Sequence, residues 1–193
     1  SNLDDLMTEF PAQYTWTDKN GNHLPKDKWE DVITKLKDLD TSECHYINCP
    51  IEHIVIDFDI KDSDGNKNAA LNLKAAENFP PTYAEYSQGG QGLHLHYIYD
   101  GDPNELSRIY DDNVEIKVYS GDSAIRRRLT KCNNLKIAHI SSDFLPVKEI
   151  TRKMYNEHVA TTEKGLRTTI DGCLRKEYLP GTKPSIDFIK KIL

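Results

Sequence analysis

The chain has 193 residues, 37% hydrophobic and 29% charged, with a formal net charge of −6. These are the proportions of an ordinary globular protein, and they exclude a low-complexity or collagen-like chain. No run of about 18 apolar residues occurs, so no membrane-spanning helix is expected.

The first residues, Ser1 to Asp5, lack the basic and apolar regions of a signal peptide. Ser1-Asn2 reads as a tag scar, and the helical pattern from Phe188 to Leu193 stops without a cap. A piece of a longer protein is the expectation. Cys44, Cys49, Cys132 and Cys173 contain no C-x-x-C pair. Cys44, His45 and Cys49 offer zinc-ligand chemistry, but cysteines filling small apolar gaps in a reducing cytoplasm are the simpler reading.

The elements follow in chain order. Residues 18–25 are turn-formers and predict a loop or hairpin tip. Asp27 can cap a helix through about Leu39, because Trp29, Val32, Ile33, Leu36 and Leu39 recur at helical spacing. From Ile51 to Ile60 the pattern alternates. Ile54, Ile56, Phe58 and Ile60 share one face, and His53, Val55, Asp57 and Asp59 share the other. Both faces look covered, which predicts a central strand. A polar turn at 62–66 precedes a helix from about Ala69 to Asn78, stopped by Pro80-Pro81. Thr82–Ser87 and Leu93–Tyr99 read as a hairpin around the glycine loop 88–92. A short helix near Glu105–Tyr110, a strand at Val114–Tyr119, a basic connection over 121–134 and a strand at Leu135–Ile140 complete the core. From Val147 the pattern is helical, with helices expected from about Glu163 to Tyr178 and from Ser185.

The order strand, helix, strand, strand, helix, strand predicts an α/β (α+β) fold around a ferredoxin-like or RNA-recognition-motif sheet. An N-terminal α/β unit precedes it and a C-terminal helical piece follows. The expected division is 1–150 for the main domain and 151–193 for a helical subdomain or linker.

Three strand segments carry chemistry. Asp57 and Asp59 lie two apart, so both carboxylates face one way. Such a pair repels unless a cation or proton sits between its members, and Mg²⁺ or Mn²⁺ takes oxygen ligands of this kind. The plain alternative is a pair of strand-end acids matched by Lys. His94 and His96 are also co-facial and follow a glycine loop whose N–H groups can approach an anion; a structural histidine pair is the alternative. Glu115 and Lys117 share a face and taken alone could be a cross-strand charge pair. Charge is distributed unevenly. Residues 1–113 carry 9 basic and 22 acidic residues, residues 114–153 carry 9 and 4, and residues 154–193 carry 7 and 5. Arg126, Arg127, Arg128, Lys131 and Lys136 lie in the stretch with clear positive excess, which suits phosphate binding whatever the net charge.

On these residues the chain resembles the archaeo-eukaryotic primase superfamily, especially the primase-polymerase (prim-pol) domains of phage and mobile-element replication proteins. Asp57-Phe58-Asp59 is similar to its first motif, an acid, an apolar residue and an acid after an apolar strand. Ser87-Gln88-Gly89-Gly90-Gln91-Gly92-Leu93-His94 is similar to its second, a Ser or Gly-rich turn before a His. Val114-Glu115-Ile116 stands at the third, where the family more often has Asp. The resemblance covers about residues 50–140. It implies a DNA primase/DNA polymerase that transfers nucleotides from dNTPs or NTPs onto a primer along a DNA template. Asp57, Asp59 and Glu115 would be catalytic and hold two Mg²⁺ or Mn²⁺ ions. His94, Ser87, Lys117 and His96 would serve the nucleotide, and Arg126, Arg127, Arg128 and Lys131 the phosphates. A helicase domain or partner is implied as well.

A rival resemblance rests on His94-Leu95-His96, which matches the His-hydrophobic-His motif of rolling-circle replication nucleases. Those use the His pair and one further polar ligand to hold a metal, with a Tyr attacking DNA; Tyr155 and Tyr110 are the candidates here. A non-catalytic nucleic-acid-binding module on the same fold is a third reading.

Overall fold

The computed structural model describes residues 1–148 and 162–167. The chain divides into two compact units, Ser1–Glu149 and Ile150–Leu193. The expected helix beginning at Ser185 lies outside the described residues, as does most of that expected from Glu163. Within the second unit, residues 163–167 are helical.

The first unit is a mixed α+β fold of two mostly antiparallel sheets with few helices. Helix α1 (Asn2–Met7) opens it, its first turn closed by reciprocal bonds between Ser1 and Asp4. Strands β1 (Ala12–Thr17) and β2 (His23–Pro25) form a hairpin, and β3 (His45–Ile47) follows. Then come β4 (His53–Phe58), helix α2 (Ala69–Ala76), β5 (Ala84–Tyr86), β6 (Leu93–Tyr99), β7 (Ile109–Asp111), β8 (Val114–Val118), β9 (Ile125–Arg127) and β10 (Ala138–Ile140). The smaller sheet has the order β2-β1-β3-β9, and the larger runs β10-β6-β4-β8-β7. β5 shares the outer edge of β6 with β10: β5 pairs antiparallel with Leu93–Leu95, and β10 pairs parallel with Tyr97–Tyr99.

β4 is central and covered on both faces. Ile54, Ile56 and Phe58 pack with Leu93, Leu95, Tyr97, Val114, Ile116 and Val118 beneath α2 and Phe79. Val55 faces the other way, into a second core with Tyr83, Ile125, Ile47, Leu3 and Met7. The near-continuous apolar run of this strand follows from that double burial. Asn68 caps α2 by accepting from the Ala70 and Leu71 N–H groups. Asn72, fully buried one turn on, accepts from Ile60 N–H at 2.9 Å and donates to the Gln91 carbonyl at 2.6 Å. One side chain thus ties the exit of β4 to the glycine loop.

Three expected elements differ. No α-helix forms over Asp27–Leu39; two single 3₁₀ turns occur there, at Trp29–Asp31 and Leu36–Asp38. The backbone of this stretch bonds instead to residues 8–12: Thr34 C=O accepts from Ala12, and Leu36 and Lys37 donate to Phe10 and Thr8. Of its apolar residues only Leu36 is buried, while Ile33 is 92% exposed. The Glu105–Tyr110 segment is not helical either. A 3₁₀ turn at Pro103–Glu105 leads to β7, an edge strand whose pairing with β8 replaces the helix. Finally, the basic connection contains β9, which pairs with β3.

Candidate active site

The site is a row of side chains running across strands. In the antiparallel register Glu115 of β8 lies opposite Asp57 of β4, Asp57 opposite His94 of β6, and His94 opposite Glu85 of β5. Alternation along each strand sends all four to one sheet face. The row lies near the end of β4, where the second sheet only partly covers that face. Asp57 is 18% exposed, His94 28% and Glu115 54%, whereas Glu85 at the far end is 3%.

Asp57 sits between a histidine and a lysine. His94 Nε2 lies 3.4 Å from Oδ1 and Lys117 Nζ lies 3.7 Å from Oδ2. Burial alone would raise its carboxyl pKa, but His94, Lys117 and Lys67 outweigh that effect and hold it below the usual value. Lys117 also pairs with Glu115, and Lys67 reaches Asp59 at 2.7 Å. Burial would lower the Lys117 ammonium; Glu115 and Asp57 raise it instead. Each aspartate is thus matched by a lysine, the pairing the plain alternative anticipated.

The glycine loop supplies the opposite wall. Ser87 donates its N–H to the Gly92 carbonyl at 2.9 Å, and its Oγ accepts from Gly92 N–H at 3.0 Å. A Cβ at Gly92 would come within 2.8 Å of Asp59 Oδ1 and 2.9 Å of Ser87 Oγ. Glycine here permits close approach of the loop to the second acid. Between the walls lies a cleft of about 620 Å³ that includes Asp57, Asp59, Ser87, Gln88, His94 and Arg126. A smaller hollow of about 200 Å³ adjoins it, where Glu115 and Asn113 meet the same two aspartates.

Asp57, Asp59, Glu115, His94, Ser87, Lys117 and Arg126 therefore converge, and the other five candidates do not line the cleft. Arg127 is buried, not a surface phosphate ligand. Its guanidinium bonds Glu85 through Nε at 3.0 and 3.1 Å and through Nη2 at 3.0 Å, and also meets Asp4 and Tyr83. Burial would raise the Glu85 carboxyl, but this guanidinium holds it well below the carboxylate range. His96 is also buried and does not line the cleft; its Nδ1 lies 3.0 Å from His53 Nε2. Burial lowers the pKa of both rings and keeps them neutral. Lys131 is exposed beside Tyr86 and Cys132, outside the acid-lined cleft. Arg128 and Lys136 are exposed.

Lys67, Asn72 and Glu85 were not anticipated. Period-2 alternation through Thr82–Ser87 could have paired Glu85 with His94; the other two act through loop and helix geometry that carries no sequence signal. Among the described residues Glu85, His94 and His96 form a group able to hold a metal ion, their ligand atoms lying within 4.8 Å of one another. Cys49 lies in the second core, where burial pushes its thiol up to about 12, and His45 Nδ1 bonds the Glu43 carbonyl. Among the described residues no helix is long and apolar enough to cross a membrane.

Neither a protein-family model nor a curated protein matches this chain.

Proposed function

We propose that the first unit is a metal-dependent nucleotidyltransferase of the primase-polymerase kind, extending a primer on a DNA template from dNTPs or NTPs. The observation that carries this reading is the row Glu115–Asp57–His94 with Asp59 at its edge, opening on a cleft shared with Ser87 and Arg126. The strand neighbours support it: β8-β4-β6-β5, with α2 between β4 and β5, follow the order of a split β-α-β sheet of the RNA-recognition-motif type.

Asp57, Asp59 and Glu115 offer hard carboxylate oxygens already balanced by two ammonium groups, a donor set that fits Mg²⁺ or Mn²⁺. Bound there, the ions would neutralise triphosphate charge and favour ionisation of the primer 3′-hydroxyl. His94 and Ser87 face the cleft and would hold the phosphates, with Arg126 supplying fixed positive charge from the second sheet. Lys117 keeps Asp57 ionised. The primer oxygen attacks the α-phosphorus, the bond to the bridging oxygen breaks, and pyrophosphate leaves. Template DNA would run beside the exposed Arg126 and Arg128, and a helicase domain or partner would supply unwound template in the cytoplasm.

The rolling-circle nuclease is favoured by one observation, the Glu85–His94–His96 group. Of its candidate nucleophiles, Tyr110 packs against Phe79 on the opposite sheet face, and Tyr155 lies outside the described residues. The deciding experiment is incorporation of labelled dNTPs and NTPs on primed and unprimed templates with Mg²⁺ or Mn²⁺. Asp57→Asn, Asp59→Asn and Glu115→Gln should each abolish incorporation with the fold intact. Full activity in the Asp57→Asn, Asp59→Asn double variant would end this reading, and a Tyr–DNA adduct lost in His94→Ala would establish the nuclease.

A further inference from the structure

Glu85, His94 and His96 make a donor set different in kind from the three carboxylates Asp57, Asp59 and Glu115. His96 is 1% exposed, and its Nε2 has no hydrogen-bond partner. That atom faces Glu85 Oε1 at 3.6 Å, too long for a hydrogen bond. A buried imidazole nitrogen left in this way costs free energy unless something else engages it. The other nitrogen, Nδ1, is held 3.0 Å from His53 Nε2. With its proton on Nδ1, His96 donates to His53 and turns the Nε2 lone pair toward Glu85. A second partner that fixes the tautomer of a ring is the usual support of a metal-ligating histidine.

Glu85 has capacity to spare. Its Oε2 accepts from Tyr83 and from Arg127, whereas Oε1 accepts only from Arg127 Nε, at 3.0 Å. A lone pair on Oε1 remains free on the His96 side. His94 is the partly exposed member of the group and has room to swing. Ligand atoms now within 4.8 Å need only close to the separation of about 3.4 Å that tetrahedral bonds of about 2.1 Å require.

Two imidazoles and one carboxylate favour borderline ions such as Zn²⁺ or Co²⁺ over Mg²⁺, which prefers oxygen. We infer that Glu85, His94 and His96 bind one borderline divalent cation of the Zn²⁺ class, at a site distinct from the Asp57–Asp59–Glu115 carboxylates. The buried end of the row would hold it, and water from the cleft would complete its shell. His94 belongs to both neighbourhoods, so a ring engaged by this cation is turned away from the cleft. The site rests on this geometry and not on the polymerase reading.

The test is titration of the metal-free full chain with Co²⁺, followed by visible absorption, and with Zn²⁺ by calorimetry. One Co²⁺ per chain with the intense spectrum of four-coordinate cobalt is expected. Zn²⁺ displaces it and excess Mg²⁺ does not. His96→Gln and His94→Gln each weaken binding at least about tenfold, while Glu115→Gln, at the exposed end of the row and out of contact with His94, leaves it unchanged. His94 is partly exposed, so its variant keeps the test valid should His96→Gln misfold. Absence of a four-coordinate spectrum, or equal Co²⁺ affinity in wild type and His94→Gln, overturns the inference. A chain that binds Co²⁺ as described yet incorporates no nucleotide keeps this site and loses the polymerase reading.

Discussion

Replacing Arg127 with Met separates the buried arginine from its exposed neighbours. Met keeps much of the side-chain volume but removes every hydrogen bond to Glu85, Asp4 and Tyr83. Glu85 would then be a 3% exposed carboxylate with no cation beside it. Breaking a buried pair by removing one member costs about 3–5 kcal/mol, against a total of about 5–15 kcal/mol for a typical domain. At about 2–4 °C per kcal/mol in a unit of this size, the midpoint should fall by roughly 6–20 °C. Thermal and urea unfolding followed by circular dichroism measure this, and the destabilisation should be nearly independent of salt because the pair is shielded from solvent. Adding Glu85→Gln to Arg127→Met removes the stranded charge and should recover stability relative to the single variant. Arg126→Ala with Arg128→Ala should do the opposite: stability unchanged, and the log–log salt slope of template binding shallower by about 0.7–0.9 for each phosphate no longer neutralised. An Arg127→Met chain within about 1 kcal/mol of wild type, yet weaker on template with a flatter salt slope, would refute the clamp and return Arg127 to the surface.

Stability should fall as pH drops below about 6.5. His53 and His96 are buried with pKa values pushed below their ordinary 6.5, so the unfolded chain takes up protons that the folded chain refuses; the slope is up to about 1.4 kcal/mol per pH unit for each ring. Urea midpoints between pH 7.5 and 5 measure it, and a profile equally steep in His53→Gln would contradict the assignment. Gly92→Ala, whose Cβ would crowd Asp59 and Ser87, should lower nucleotide incorporation by up to about 10²-fold with a much smaller change in melting temperature; full activity would show that the close approach is dispensable.

The three long strands of the larger sheet were legible because period-2 alternation survives burial on both faces. Ile54, Ile56 and Phe58 turn one way and Val55 and Asp57 the other, as their spacing requires. The facing of Asp57, His94 and Glu115 follows from the same rule. Depth does not. His94 and His96 are equivalent by alternation, yet one opens on the cleft and the other is sealed under the second sheet. Arg126, Arg127 and Arg128 read as one basic run until β9 alternates them, exposing the outer two and burying the middle one. The Asp27–Leu39 pattern failed for a different reason. Its helical spacing was real, but backbone bonds to residues 8–12 claimed the segment and left Ile33 in solvent.

The transverse row has a consequence for how such a molecule can change in length. Glu115, Asp57, His94 and Glu85 are brought together by register alone, each contributed by a different strand. Deleting or inserting one residue inside β4 or β6 would turn that strand's polar set toward the apolar layer beneath α2 and bring its apolar set outward. Such a slip would dismantle chemistry and core in one event. Connections such as residues 18–22 and 120–123 carry no member of the row and bury no core side chain. Growth and trimming are cheap there, so variation in size belongs to the rim while the strands keep a fixed reading frame.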